Sequence, residues 1–122
     1  MSFLARLWEA LRLRTAGPRS GQALKGARAL APGLHAYERR DGAGGRVRVH
    51  LRVEPDGRGL LVLNASRVLH LNQTATEYAR LILERVPEAE AVRTIRRRYR
   101  VDGAAAQADY RRVQDQLDTL IA

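Results

Sequence analysis

The chain predicts an α+β fold: a small antiparallel sheet of three to four strands followed by three helices, with an amphipathic helix ahead of the sheet. Three observations carry this expectation. Residues 46–54 alternate strictly between apolar and polar. Residues 60–85, LLVLNASRVLHLNQTATEYARLILER, run from strand through tight turn and second strand into a capped helix without a linker. From residue 75 onward the apolar residues recur at helical rather than strand spacing.

A length of 122 residues fits one domain, able to bury roughly two-thirds of the surface its unfolded chain exposes. The lack of cysteine excludes a thiolate nucleophile, an iron–sulfur cluster held by this chain and a disulfide framework. A formal net charge of +9 points to an acidic partner in general terms: nucleic acid, anionic membrane or acidic peptide. Arg6, Glu9, Arg12 and Arg14 interrupt the apolar residues at the start, so neither a signal peptide nor a membrane span is encoded, and the expected address is cytoplasmic.

Residues 1–15 form a basic amphipathic helix, because Phe3, Leu4, Leu7, Trp8 and Leu11 recur at helical spacing while Arg6, Glu9 and Arg12 lie elsewhere on the wheel. This helix either packs on its own domain or docks on a partner through Phe3, Leu7, Trp8 and Leu11, a membrane surface being the less favoured target. The breakers of residues 16–33, Gly17-Pro18, Ser20-Gly21, Gly26 and Pro32-Gly33, mark a linker. Residues 1–33 are thus one unit, and residues 34–122 the domain proper.

Residues 34–40 read as a strand, and Asp41-Gly42 with Gly44-Gly45 supplies the turn into the next. In residues 46–54, Val47, Val49, Leu51 and Val53 point one way, and Arg46, Arg48, His50, Arg52 and Glu54 the other, giving one buried face and one wet, basic face. Pro55-Asp56-Gly57 turns the chain. The continuous apolar run 60–64 suits a strand covered on both faces or lying next to a core. After the turn at Asn64-Ala65-Ser66, residues 67–72 alternate, with Leu69 and Leu71 on one face and Val68 and His70 on the other.

Thr74 with Glu77 three residues on reads as a capping box at the start of the first domain helix. Ala75, Tyr78, Ala79, Ile82 and Val86 face inward there, and Thr76, Glu77, Arg80 and Glu84 outward. Pro87 separates it from a second helix that buries Ala91, Val92, Ile95 and Tyr99 and turns Arg93, Arg97 and Arg100 outward. Val101-Asp102-Gly103 breaks this helix, with Asp102 as a cap. The third buries Ala106, Val113, Leu117 and Leu120, with Tyr110 and Ile121 at its margin.

Chemistry is sparse in this pattern. No nucleophile beside a base, no paired carboxylates and no glycine-rich phosphate loop occur, so the chain reads as a non-enzyme without a cofactor. His50 and His70, even on one sheet face, lack a third ligand, and His35 adds little, so no metal site is expected. The arginine run RTIRRRYR is open to two readings, a phosphate-binding strip or the solvated face of a surface helix.

The residues LLVLNASRVLHLNQTATEYARLIL, followed by Tyr99-Arg100-Val101 and Asp109, resemble the PqqD-like family over residues 46–121. The resemblance implies three strands against three helices in a winged-helix-like arrangement, a recognition element for ribosomally made, later modified peptides. Such elements bind the precursor's leader segment and present it to a maturase, often a radical SAM enzyme. The implied mechanism is strand addition along Arg67, Val68, Leu69, His70 and Leu71. Leader side chains would enter a groove between this strand and the third helix, for which Val68, His70 and the row Gln107, Tyr110, Gln114 are the candidates. Residues 1–45 exceed a minimal member, and residues 84–87 lack the glycine often found after the family's first helix. The alternative reading is a winged helix-turn-helix DNA binder.

The net charge generates a test. The protein is expected to hold two unrelated DNA duplexes equally weakly at low salt and to release both by physiological salt, as phosphate contacts alone dictate. Fluorescence anisotropy at two salt concentrations checks this, and a tight complex with one defined duplex at physiological salt would favour the DNA-binding alternative.

Overall fold

The computed structural model of the protein describes residues 22–23, 30–64 and 66–121. The expected helix over residues 1–15, with Phe3, Leu7, Trp8 and Leu11, lies outside the described residues. The elements are β1 (Gln22–Ala23), β2 (Gly33–Arg40), β3 (Arg46–Val53), β4 (Gly59–Leu63), β5 (Arg67–Leu71), α1 (Gln73–Leu83), α2 (Glu88–Arg98), β6 (Tyr99–Arg100) and α3 (Gly103–Ile121). Strands β2 to β5 form an antiparallel meander in the order β2-β3-β4-β5, and β1 pairs with β6 in a separate two-stranded ribbon. The four-stranded sheet followed by three helices is the α+β architecture expected from the sequence. The ribbon was not expected: residues 16–33 had read as a linker, because two strand residues are too few to leave a periodic signal.

The sheet is amphipathic. Val47, Val49, Leu51, Val53, Leu61, Leu63, Leu69 and Leu71 are buried against the helices. The opposite face exposes Ala36 and His70, half-buries His50, Leu60, Val62 and Val68, and leaves Leu34 65% exposed. The apolar run at β4 is therefore covered on one side only. Its outward residues, Leu60 and Val62, are shielded by cross-strand neighbours, Arg52 and His70 beside the former, His50 and Val68 beside the latter.

Helix α1 starts two residues earlier than its capping box predicted, and a different residue caps it. Asn72 holds extended backbone, and its Oδ1 accepts from the Ala75 N–H at 2.9 Å. Thr74 is then inside the helix, and Glu77 does not reach back to a cap. Thr76 and Glu77 are both buried instead of facing outward. A Cβ built on Gly59 would stand 2.5 Å from Thr76 Oγ1, so only glycine allows α1 to approach β4 this closely.

The helix ends as the chain lacking a glycine must. The Val86 N–H donates to Leu81 O and the Arg85 N–H to Ile82 O, a Schellman arrangement in which Arg85 takes φ 60°. Arg39 from β2 donates to Leu83 O at 2.7 Å, and adds a second bond to Ile82 O at 3.0 Å. Tyr37 donates to Glu84 Oε2 at 3.0 Å, and burial together with that bond pushes the phenol up to about 12. Pro87 occupies the N-cap position of α2 without a side-chain capping bond, and Asp102 caps α3 as expected, its Oδ1 accepting from the Ala105 N–H at 2.7 Å.

Arg85→Gly is expected to stabilise the fold by about 1 kcal/mol, since it removes the left-handed penalty of a side chain at this position. It also removes a cation that opposes the charge on Arg39. Arg85→Val should destabilise it. Urea denaturation of the three proteins checks both signs.

Candidate functional site

Hydrogen-bond alternation fixes which backbone groups the sheet leaves over. The Asn64 N–H donates to Arg48 O at 2.9 Å, so in this ladder Leu60 and Val62 direct their N–H and C=O groups at β3. Gly59, Leu61 and Leu63 then direct theirs at β5, where their partners are Leu71, Leu69 and Arg67. By the same alternation, the N–H and C=O of Val68 and His70 point to the far edge of β5. Among the described residues no strand pairs with that edge. This is an open template for a fifth strand.

The candidate residues of β5 divide by parity. Leu69 and Leu71 are core side chains, so they can serve an added strand only through the ladder they maintain. Val68 and His70 lie on the outer sheet face, opposite Val62 and Leu60, with their side chains turned from the helices. Arg67 faces the helix layer, and its guanidinium donates to Leu120 O, which joins the start of β5 to the end of α3. Beside the other end of β5 lies a cleft of about 620 Å³ lined by Glu54, Asp56, Arg58, Gly59, Leu60, His70, Leu71 and Asn72.

On α3 the three candidates share one flank. Arg111, on the same side of the wheel, donates to Glu88 Oε1 at 3.0 Å, so this flank faces the start of α2. Gln107 is exposed, Gln114 half-buried, and Tyr110 is buried edge-on against Tyr78 with ring centroids 6.5 Å apart. The structure does not bring them together with Val68 and His70. The flank turned from α2 carries two residues that were not singled out as groove candidates, Asp109 and Gln116, 4% and 6% exposed. Asp109 Oδ2 and Gln116 Oε1 are buried without a hydrogen-bond partner among the described residues. The signal available in sequence was their seven-residue spacing, which puts two polar groups on the edge of the apolar stripe.

Burial pushes the Asp109 carboxyl above its ordinary range, and Arg112, 3.7 Å from Oδ1, opposes this only in part. Burial likewise raises Glu77, against the pull of Arg98, which donates to its Oε1. Glu84 moves the other way: burial works to raise it, but hydrogen bonds from Arg80 and Tyr37 outweigh that and hold it below the usual carboxylate range. His50 and His70 do share a face, on β3 and β5 with β4 between them. Among the described residues no group of three or more histidine or carboxylate side chains is placed to hold a metal. No described helix is long and apolar enough to cross a membrane.

The raised carboxyl of Asp109 sets a pH dependence. Its folded value lies above the unfolded one, so between the two the unfolded chain binds fewer protons and stability falls as pH rises. Asp109→Asn removes this contribution. The stability of the variant relative to the parent is therefore expected to improve as pH rises from about 4, the ordinary aspartate range, towards neutrality. Melting temperatures of both proteins across that window check the sign, and a constant difference would mean that Asp109 does not titrate there.

A family model described as Coenzyme PQQ synthesis protein D (PqqD) matches residues 58–120, more than half of the chain. No curated protein and no solved structure gives a significant match. The matched span begins just ahead of β4 and takes in β5 and all three helices, so it contains the free edge, the Arg67 link and the Asp109 flank. Strand, hairpin, capped helix and the two following helices thus occur in one continuous match, and the chain belongs to the PqqD family.

Proposed function

We propose that the protein is a non-catalytic peptide-binding module that captures the leader segment of a ribosomally made precursor by strand addition to β5 and presents it to a modifying enzyme, a radical SAM maturase. The observation that carries this reading is the unpaired edge of β5, where the N–H and C=O of Val68 and His70 point outward. An added strand gains main-chain hydrogen bonds there whatever its sequence. Its side chains alternate, one set lying beside Val68 and His70 on the outer face and the other towards the α3 flank of Asp109 and Gln116. A strand running antiparallel to β5 reaches the cleft beside His70 and Leu71 with the residues that precede its paired stretch.

Membership of a coenzyme synthesis family supports a biosynthetic setting, with the precursor peptide and its modifying enzyme as partners. Residues 34–122 are the recognition domain in this reading. The DNA-binding alternative draws no support from α3, the helix that would enter a groove. Asp115 and Asp118 are exposed on it among Arg111 and Arg112, a mixture of signs unsuited to phosphate.

Titration of a labelled leader peptide, from a precursor encoded beside this gene, tests the reading. Val68→Ala trims a half-buried side chain and is expected to weaken binding about fivefold. Val68→Pro removes an edge-facing donor without touching the ladder to β4 and should abolish binding. Arg97→Ala, on the solvated face of α2, should leave it unchanged. Circular dichroism first establishes that each variant is folded. Equal binding by a folded proline variant would rule out pairing at this edge. Should that variant not fold, amide shifts of Val68 and His70 on adding peptide to the parent decide instead.

A further inference from the structure

On the flank of α3 turned from α2, three rows of side chains lie side by side: Arg112 and Thr119 exposed, Asp109 and Gln116 buried, and Val113 and Leu120 in the core. The Arg112 side chain, more than half exposed, brings its guanidinium within 3.7 Å of Asp109 Oδ1, so the carboxyl lies one side chain below the surface. In this middle row Asp109 Oδ2 and Gln116 Oε1 have no hydrogen-bond partner among the described residues. Leaving a buried acceptor unpaired costs stability, and a donor supplied from outside recovers it.

Two contacts fix how this flank runs past the sheet. Arg67, at the start of β5, donates to Leu120 O, one turn beyond Gln116. Tyr78, in the helix that follows β5 directly, donates to Ala106 O, one turn ahead of Asp109. Helix α3 therefore runs back along β5, with Gln116 towards the start of that strand and Asp109 towards its end. A strand paired antiparallel to the open edge of β5 runs in the direction of α3 and passes Asp109 before Gln116. Its main-chain groups lie in the plane of the sheet, so only its side chains, every second one, reach towards the helix layer. We propose that Asp109 and Gln116 set the sequence preference of the bound leader: among its helix-facing residues, one donates an N–H or O–H to Asp109 Oδ2 and another, nearer its C-terminus, donates to Gln116 Oε1. This rests on the strand addition proposed for β5 and supplies the selectivity that main-chain pairing lacks. Seven helical residues span about 10.5 Å, and same-face positions of a strand recur about every 6.7 Å. Donors two or four residues apart, on flexible polar side chains, thus reach both acceptors. An apolar residue in either place would shut the acceptor away unpaired, and sites built to accept a hydrogen bond reject such analogues strongly.

The probe is the labelled leader peptide, together with copies in which each donor-bearing side chain of the paired stretch is replaced in turn by leucine. All are titrated against the parent, Asp109→Leu and Gln116→Leu. One replacement is expected to weaken binding to the parent about tenfold, yet to change binding to Asp109→Leu by no more than about twofold. A second replacement, nearer the peptide's C-terminus, should show the same relation to Gln116→Leu. A substitution that merely disturbs α3 produces no such pairwise coupling. Leucine fills either position without an unmet acceptor, so both variants should keep the circular dichroism of the parent; Asp109→Ala and Gln116→Ala serve if they do not. If the leader binds and shifts the Val68 and His70 amides but neither protein variant is coupled to any peptide replacement, this inference is overturned and strand addition stands. Tight binding of a leader whose paired stretch bears no donor side chain would overturn it in the same way. Failure of the parent to bind the leader would overturn both.

Discussion

Three consecutive residues of α1 each hold a different part of the molecule. Thr76 sits against Gly59 of β4, Glu77 accepts from Arg98 and Tyr99 at the end of α2 and the start of β6, and the Tyr78 hydroxyl donates to Ala106 O in α3 at 3.1 Å. Successive side chains point about 100° apart on a helix, so such a run is buried only when packing surrounds the helix. Among the three, Glu77 is the most demanding. A carboxylate 3% exposed is costly unless both oxygens are satisfied, and here that requires the end of α2 to reach the second turn of α1. The position of β6, and so of the ribbon with β1, follows from this bond.

With α1 held between sheet and helices, the edges of the sheet acquire different characters. Tyr37 and Arg39 bind β2 to the end of α1, and the groups directed outward from that strand belong to Leu34, Ala36, Glu38 and Arg40, whose charges discourage pairing. On β5 the outward groups belong to Val68 and His70, with no carboxylate, lysine or arginine between them. Its one strongly charged residue, Arg67, has its guanidinium donating to Leu120 O on the helix side. The less protected edge is therefore the short one beside α3.

Much of this was legible in the sequence wherever a single period governed a whole element. The alternation of residues 46–54 specified β3 and both of its faces, Asp102 capped α3 where the breaker indicated, and the meander followed from its turn residues. Failures came where one buried face was assumed and tertiary structure supplied another number. Thr76 and Glu77 read as solvent-facing because an amphipathic stripe leaves one side wet, whereas the first half of α1 is enclosed. Thr74 and Glu77 fit the capping-box spacing, but Asn72 makes the cap, leaving Glu77 for Arg98. At the candidate site the wheel could rank the margins of α3 by hydrophobicity but could not say which margin meets α2. That is set by the packing of the helices, of which the Arg111 bond to Glu88, between residues far apart in sequence, is the visible sign.

The distribution of satisfied and unsatisfied buried groups completes the argument. Glu77 and Asp109 are buried to nearly the same degree, yet Glu77 has partners at both oxygens and Asp109 Oδ2 has none. A buried polar atom without a partner costs about 1–3 kcal/mol, and Gln116 Oε1 adds a second such atom two turns along the same flank of α3. Packing requirements do not explain the difference, since an apolar side chain of similar size would fill either position without that cost. Glu77, which joins α1 to the end of α2, is bonded at both oxygens, and two of the three buried side-chain atoms without a partner among the described residues lie on this flank of α3, the third being His35 Nε2 on β2. Local departures of this kind, retained against stability, are characteristic of surfaces kept for recognition rather than for folding. The proposed use of the neighbouring β5 edge gives them a common setting, because a strand added there turns alternate side chains towards this flank, and polar ones among them bring donors to it.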